Sequence, residues 1–152
     1  GIQWATPSGW KPEGSRPMRA ATYAIPAARG DKEAGECGVY YFGPGQGGGV
    51  AANVTRWVGQ FEQPGGKSSA EAAQVRKRTI GGVTVTTIDV SGTYLFSPTP
   101  MSPDKIPKPD YRLLGAIVEA PQGLVFFKFT GPAKTVAANA GAFQEMLRSL
   151  RK

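Results

Sequence analysis

YRLLGAIVE (Tyr111 to Glu119) and LVFFKFT (Leu124 to Thr130), joined through Pro121-Gln122-Gly123, are the two stretches on which the fold turns. Each has the length of a strand and carries apolar residues at consecutive positions, so apolar side chains point to both of its faces. The turn residues between them mark a hairpin. A hairpin that is apolar on both faces belongs in the middle of a sheet, with a covering layer above and another below.

The C-terminal segment supplies one cover. Val136, Ala140, Phe143, Leu147 and Leu150 step by four, three, four and three, which traces one face of a helix. Pro132 suits its start, and Arg148, Arg151 and Lys152 place positive charge at its end, where the helix dipole favours it. A second helix is read upstream, because Val50, Val54, Trp57 and Phe61 also share one face; Gln63-Pro64-Gly65-Gly66 ends it.

The remaining strands come in pairs. Arg19 to Ile25 and Gly38 to Phe42 form an antiparallel hairpin; Val75 to Ile80 and Val83 to Val90 form another across Gly81-Gly82, with Thr93 to Phe96 as an extension. Val83 and Val85 lie on one face of the strand but Ile88 and Val90 on the other, which reads as a bulge between them. Ser97 to Pro109 holds five prolines and reads as a surface loop. The order β, β, α, a run of β, then α defines an α+β fold. It is expected to be an antiparallel meander with helices packed on it, arranged as a three-layer α/β/α sandwich in one domain spanning residues 1–152.

Composition excludes several classes. The chain has 152 residues, 40% hydrophobic and 19% charged, which describes a folded domain rather than a disordered one. No apolar run approaches the roughly 20 residues of a membrane-spanning helix. There is no histidine, which removes the commonest general base and the commonest transition-metal ligand. Cys37 is the one cysteine, so it can form neither an internal disulfide nor a zinc site. No catalytic residue, metal site or cofactor is expected. The net charge is +7, but the bases are scattered along the chain and only Arg76-Lys77-Arg78 are consecutive, which argues against a nucleic-acid groove.

Gly43-Pro44-Gly45-Gln46-Gly47-Gly48 satisfies the glycine spacing of a dinucleotide loop between a strand and a helix. The acidic residue due about 20 positions later falls on Glu62, at a helix end, where a second parallel strand should stand. Gly66-Lys67-Ser68 imitates the end of a phosphate-binding loop, yet Phe61 occupies the place of its first glycine. Asp89 and Glu119 could meet as paired carboxylates only if their strands are neighbours in the right register. The simpler expectation sets each near a strand end or against a base such as Arg112 or Lys128.

The passage from the meander into the last helix through Thr130-Gly131-Pro132, then Phe143 and the ending Met146-Leu147-Arg148-Ser149-Leu150, resembles the PsbP-like superfamily. That superfamily includes the extrinsic P subunit of photosystem II, a nuclear Ran-binding import factor and many exported bacterial lipoproteins. A bacterial branch is more similar still, through the entry Pro7-Ser8-Gly9-Trp10 and the helix motif Asn53, Arg56, Trp57 and Gln60. The resemblance implies a PsbP-like fold and non-enzymatic service at membranes or in complexes. It also implies an exported protein, periplasmic or tethered by a lipid anchor on a removed N-terminal segment. No metal-ligand or docking residue of the photosynthetic member has a counterpart here, so its role does not carry over.

Six residues follow as candidate ligand- or partner-binding positions. Asn53, Arg56, Trp57 and Gln60 would share one border of the first helix, and Tyr111 and Arg112 adjoin the proline segment with Lys105 and Lys108. The border has two readings, a grip for a carboxylate, peptide or sugar, or a set of polar groups that lock the helix to nearby loops. The expected function is a non-catalytic binding or assembly domain with a protein partner. The alternative is a small-ligand or anion-binding protein with a pocket between helix 50–63 and the sheet, near Gly43 to Gly49.

Overall fold

The computed structural model describes residues 2–14, 16, 18–99 and 103–152. In chain order the elements are β1 Lys11–Pro12, β2 Arg19–Ile25, β3 Gly35–Tyr41, α1 Val50–Val58, β4 Phe61–Glu62, β5 Gln74–Ile80, β6 Val83–Phe96, β7 Ile106–Ala120, β8 Gly123–Pro132 and α2 Ala133–Arg148. Among the described residues the eight strands form one antiparallel sheet in the order β1-β2-β3-β8-β7-β6-β4, with β5 beside the first half of β6. The fold is α+β, with both helices packed on the sheet.

β7 and β8 are central, as their apolar pattern requires. Their side chains alternate between two clusters. Leu114, Ala116, Val118, Phe127 and Phe129 join Val136, Phe143, Met146 and Leu147 of α2. Leu113, Ile117 and Phe126 join Trp57 and Val58 of α1. The same division explains β6. Its pairing with β7 runs unbroken from Thr84↔Glu119 to Gly92↔Tyr111, so no bulge separates Val85 from Ile88. Val83 and Val85 enter the α2 cluster and Ile88 and Val90 the α1 cluster, so the change of phase records burial on both faces. The bulge falls later, between Gly92 and Tyr94, where Gly92 has φ 148°.

Two further expectations are corrected. Helix α1 ends at Val58, and Phe61 belongs to β4, where it pairs with Tyr94. Gly59 closes the helix, and the chain then turns so that the Gln60 carbonyl accepts from the Leu95 amide at 2.8 Å. Phe61 stays buried in the α1 cluster, so its spacing from Trp57 matched a helix although a non-local strand pair holds it. The proline segment is also shorter than a loop over Ser97 to Pro109. Residues 100–102 lie outside the described residues, and Ile106–Pro109 open β7 opposite the end of β6. Prolines are tolerated there because that end of β7 has β6 on one side only, since its pairing with β8 begins at Tyr111.

Helix α2 is anchored by a group distant in sequence. Asp31 Oδ2 accepts from the Thr135 amide at 3.0 Å and from its hydroxyl at 2.5 Å, placing a carboxylate at the helix N-terminus. No helix among the described residues is long and apolar enough to cross a membrane.

Across the sheet, Gly38, Lys128 and Gly115 are paired in one row. A Cβ on Gly115 would lie 2.7 Å from Trp57 Cζ3. Gly115→Ala is therefore expected to lower the free energy of unfolding by about 1–3 kcal/mol, as overpacked cores do, in a urea titration; an unchanged midpoint would show that Trp57 has room to move.

Candidate functional site

The helix border does not survive as one surface. Asn53 is buried and serves the backbone: its Nδ2 donates to the carbonyls of Gly47 and Gly49, both at 2.8 Å. Its Oδ1 accepts from Arg56 at 2.5 Å, and the remainder of Arg56 is exposed. Asn53 thereby ties the glycine loop to the start of α1, which has no side-chain cap from Gly49. Trp57 is core, with its ring edge against Phe126. Gln60 lies past the helix end and accepts from Lys128 Nζ at 2.7 Å.

Tyr111 and Arg112 are adjacent in β7 and therefore face opposite sides. The Tyr111 ring stacks on Tyr94, while its hydroxyl donates to Glu33, which Lys108 also engages at 2.7 Å. Those two bonds hold the Glu33 carboxyl below its ordinary range, the Lys108 contact first. Burial and the Glu33 contact push the Tyr111 phenol upward. Arg112 grips Asp89 with two bonds of 2.9 and 2.8 Å. Asp89 is thus the partner of a base, and the register places it opposite Leu114 while Glu119 lies opposite Thr84, so the two carboxylates do not meet. Cys37 is fully buried, which pushes its thiol well above the ordinary range and leaves it inert.

A different residue stands out. Lys128, on the otherwise uncharged strand β8, points to the α1 face between Gly38 and Gly115. Neither glycine has a side chain, and rings fill the space above them: Tyr40 folds over Gly38 and Trp57 over Gly115. Lys128 Nζ lies 5.8 Å from the Trp57 ring centre and 5.7 Å from that of Tyr94. Gln60 is its hydrogen-bond partner, and no carboxylate lies within ion-pair distance of it among the described residues. Burial, reinforced by the nearby charges of Arg56 and Arg19, lowers its pKa from 10.5 to about 8.

Lys128 opens into a cleft of about 530 Å³ whose lining includes Arg16, Arg19, Tyr40, Gln60, Tyr94 and Phe96. Arg19 stacks 4.9 Å over Tyr40 and reaches Glu36 at 3.1 Å; Arg16 reaches the same carboxylate at 2.9 Å. Arg16 also pairs with Glu13 at 3.0 Å, so the three cations face two acids, Glu36 in the lining and Glu13 beside Arg16. Such a site can receive an anion, with aromatic walls for a flat apolar body. It offers no cation site, and among the described residues no three His, Cys, Asp or Glu side chains come together to hold a metal. Of the residues expected from sequence, Gln60 alone lines this cleft. The available signal for Lys128 was its place as the one charge in LVFFKFT.

No protein-family model matches the chain, and no curated protein does so. A similar solved structure is the crystal structure of PA94, a protein of unknown function from Pseudomonas aeruginosa that has been suggested to be a regulator. It is 12% identical, the match covers 84% of this chain and 78% of the other, and the TM-score is 0.52. At that identity the likeness concerns the fold alone.

Three measurements check this assignment. Asn53→Ala is expected to cost about 1–3 kcal/mol, since the two hydrogen bonds that tie the glycine loop to α1 are lost, whereas Arg56→Ala should stay within about 0.5 kcal/mol; chemical denaturation of both variants separates a structural border from an exposed one. Lys128 binds its proton more weakly when folded, so between about pH 8 and its ordinary range the unfolded chain holds more protons and stability rises with pH. The penalty is full below pH 8 and fades above it. The unfolding free energy from urea titrations should therefore rise from pH 7 to pH 9 in the native protein, by about 1.4 kcal/mol per pH unit at most, relative to Lys128→Met. Parallel behaviour of the two proteins would contradict the lowered pKa.

Proposed function

We propose that this protein is a non-catalytic binding domain whose Lys128 cleft holds a small anion carried on a flat, apolar body, such as an aryl carboxylate or aryl phosphate. The observation that carries this reading is Lys128 itself: a lysine set into the sheet without a carboxylate partner among the described residues, its ammonium near the Trp57 ring behind it, with Tyr94 and Tyr40 lining the cleft and Arg16 and Arg19 at the rim. An unpaired charge in such a place is unfavourable by itself, and a bound anion would relieve it.

The reading keeps the small-ligand alternative and moves its pocket. The site lies beyond the end of α1, at Gln60, away from the Gly43 to Gly49 loop. We further read the arrangement as a three-layer α/β/α sandwich of the PsbP-like kind. What supports this is the alternation of β7 and β8 residues between one cluster containing α2 and another containing α1. Export and a lipid tether rest on the same resemblance and belong to the proposal on that footing. Assembly with a protein partner remains compatible with it, the anion then being a carboxylate or phosphate displayed by that partner.

Thermal unfolding with benzoate, phenyl phosphate and their uncharged amide and alcohol counterparts tests the cleft. The anions should raise the melting temperature with the logarithm of concentration above Kd, with stabilisation near 2.7 kcal/mol at a hundredfold excess over Kd, and the uncharged compounds should not. Lys128→Met should raise the melting temperature of the free protein, by relieving the half-buried charge, and abolish the ligand response. Equal responses to charged and uncharged compounds, or a response that persists in Lys128→Met, would defeat the proposal.

A further inference from the structure

A second feature lies at the far side of the sheet and is independent of the Lys128 cleft. Strand β5 is an edge strand: among the described residues it pairs with β6 alone, and no strand pairs with its outward side. It runs for seven residues without a proline, and six of the seven are exposed. An edge of this kind presents a row of main-chain donors and acceptors that another strand can meet.

The side chains select what that strand can be. Arg76 and Arg78 lie on the α2 face, where they line a groove of about 460 Å³ with Gln144 and Arg148 over a floor formed by Phe143 and Leu114. Arg78 is held there by Gln144 at 2.5 Å, whereas Arg76 and Lys77 make no side-chain hydrogen bond or ion pair among the described residues. On the α1 face Val75, 48% exposed, borders a smaller apolar groove of about 270 Å³ with Val54, Val58 and Ala73. The two faces of one edge therefore differ: Arg76 and Arg78 make one basic, while the other carries Val75 beside the apolar groove and then Lys77 and Thr79.

We propose that β5 is a docking edge for an extended acidic peptide segment, which adds as a further strand and alternates acidic with small aliphatic residues. Alternate side chains of an added strand point to opposite faces. Its acidic residues would reach Arg76 and Arg78, beside Arg148, which is paired with Glu145, and an aliphatic one the groove beside Val75. A second copy of this chain is a poor occupant, because antiparallel pairing of β5 with itself about Lys77 sets Lys77 against Lys77 and Arg76 against Arg78.

The probe is a fluorescein-labelled nonapeptide of alternating glutamate and valine, titrated with the whole protein and followed by fluorescence anisotropy. Binding should weaken about tenfold between 50 and 300 mM salt, as an ion-paired contact does. The double substitution Arg76→Glu with Arg78→Glu should weaken it at least about tenfold, with the melting temperature of the variant measured alongside. The same peptide N-methylated at alternate amides keeps its charges but loses main-chain donors, and it should also bind at least about tenfold more weakly to the native protein. Equal binding of the methylated and parent peptides would overturn strand addition, whatever the fate of the double variant. Tighter binding of a single-stranded oligonucleotide at the same salt would assign the edge to nucleic acid instead. Sedimentation showing a dimer that the double substitution dissolves would assign it to self-association.

Discussion

Strands β7 and β8 carry apolar side chains at consecutive positions, and because consecutive residues of a strand point to opposite faces, neither face of this hairpin can be left in water. Much of the architecture follows. Helix α2 supplies Val136, Phe143, Met146 and Leu147 to one cluster, and α1 supplies Trp57 and Val58 to the other. β6 conforms to the same demand by turning Val83 and Val85 one way and Ile88 and Val90 the other along a single unbroken register. The short helix α1 has little intrinsic stability at nine residues, so its place depends on Trp57 in the core and on Asn53 joining it to the glycine loop.

The same packing creates the cleft. Trp57 can lie close to the sheet because Gly115 has no side chain beneath it, and Tyr40 folds over Gly38 for the same reason. Lys128 sits between those two glycines, so the row reads as two absences flanking one long cation. The bulge at Gly92 redirects the end of β6 so that Tyr94 stacks between Phe61 and Tyr111 and closes another wall. Gln60 reaches Lys128 because α1 stops at Val58; had the helix continued to residue 63, Phe61 could not have paired with Tyr94.

What could be read from sequence was whatever periodicity alone determines. The central hairpin, the β5–β6 hairpin across Gly81-Gly82 and α2 are local patterns, and they stand close to where the residues placed them. β4 could not be read that way: Phe61 falls at a helical spacing from Trp57, while the bond that claims it comes from Tyr94, more than thirty residues later. The site was hidden for a related reason. The motif Asn53, Arg56, Trp57, Gln60 was visible, but only Asn53 and Arg56 bond to one another; Asn53 also holds the glycine loop, Trp57 enters the core and Gln60 meets Lys128. That Gly38 and Gly115 flank Lys128 depends on the registers of three strands, which one sequence does not supply.

Two uses of positive charge can be distinguished on this sheet. On β5 the charges stand in water, where they cost little and keep a long edge from pairing with its own copies. Lys128 is different. Its neighbours along β8 are Phe127 and Phe129, its neighbours across the sheet are glycines, and its pKa is lowered because the site favours the uncharged amine. A methionine would fill the same space without that penalty, so packing alone does not account for a lysine at this position. Residues that break the local rule of their own element are where functional demands tend to sit. The rings, the rim arginines and the unneutralised amine converge on one cleft, and binding of an anion is the role that would make the charge at Lys128 favourable.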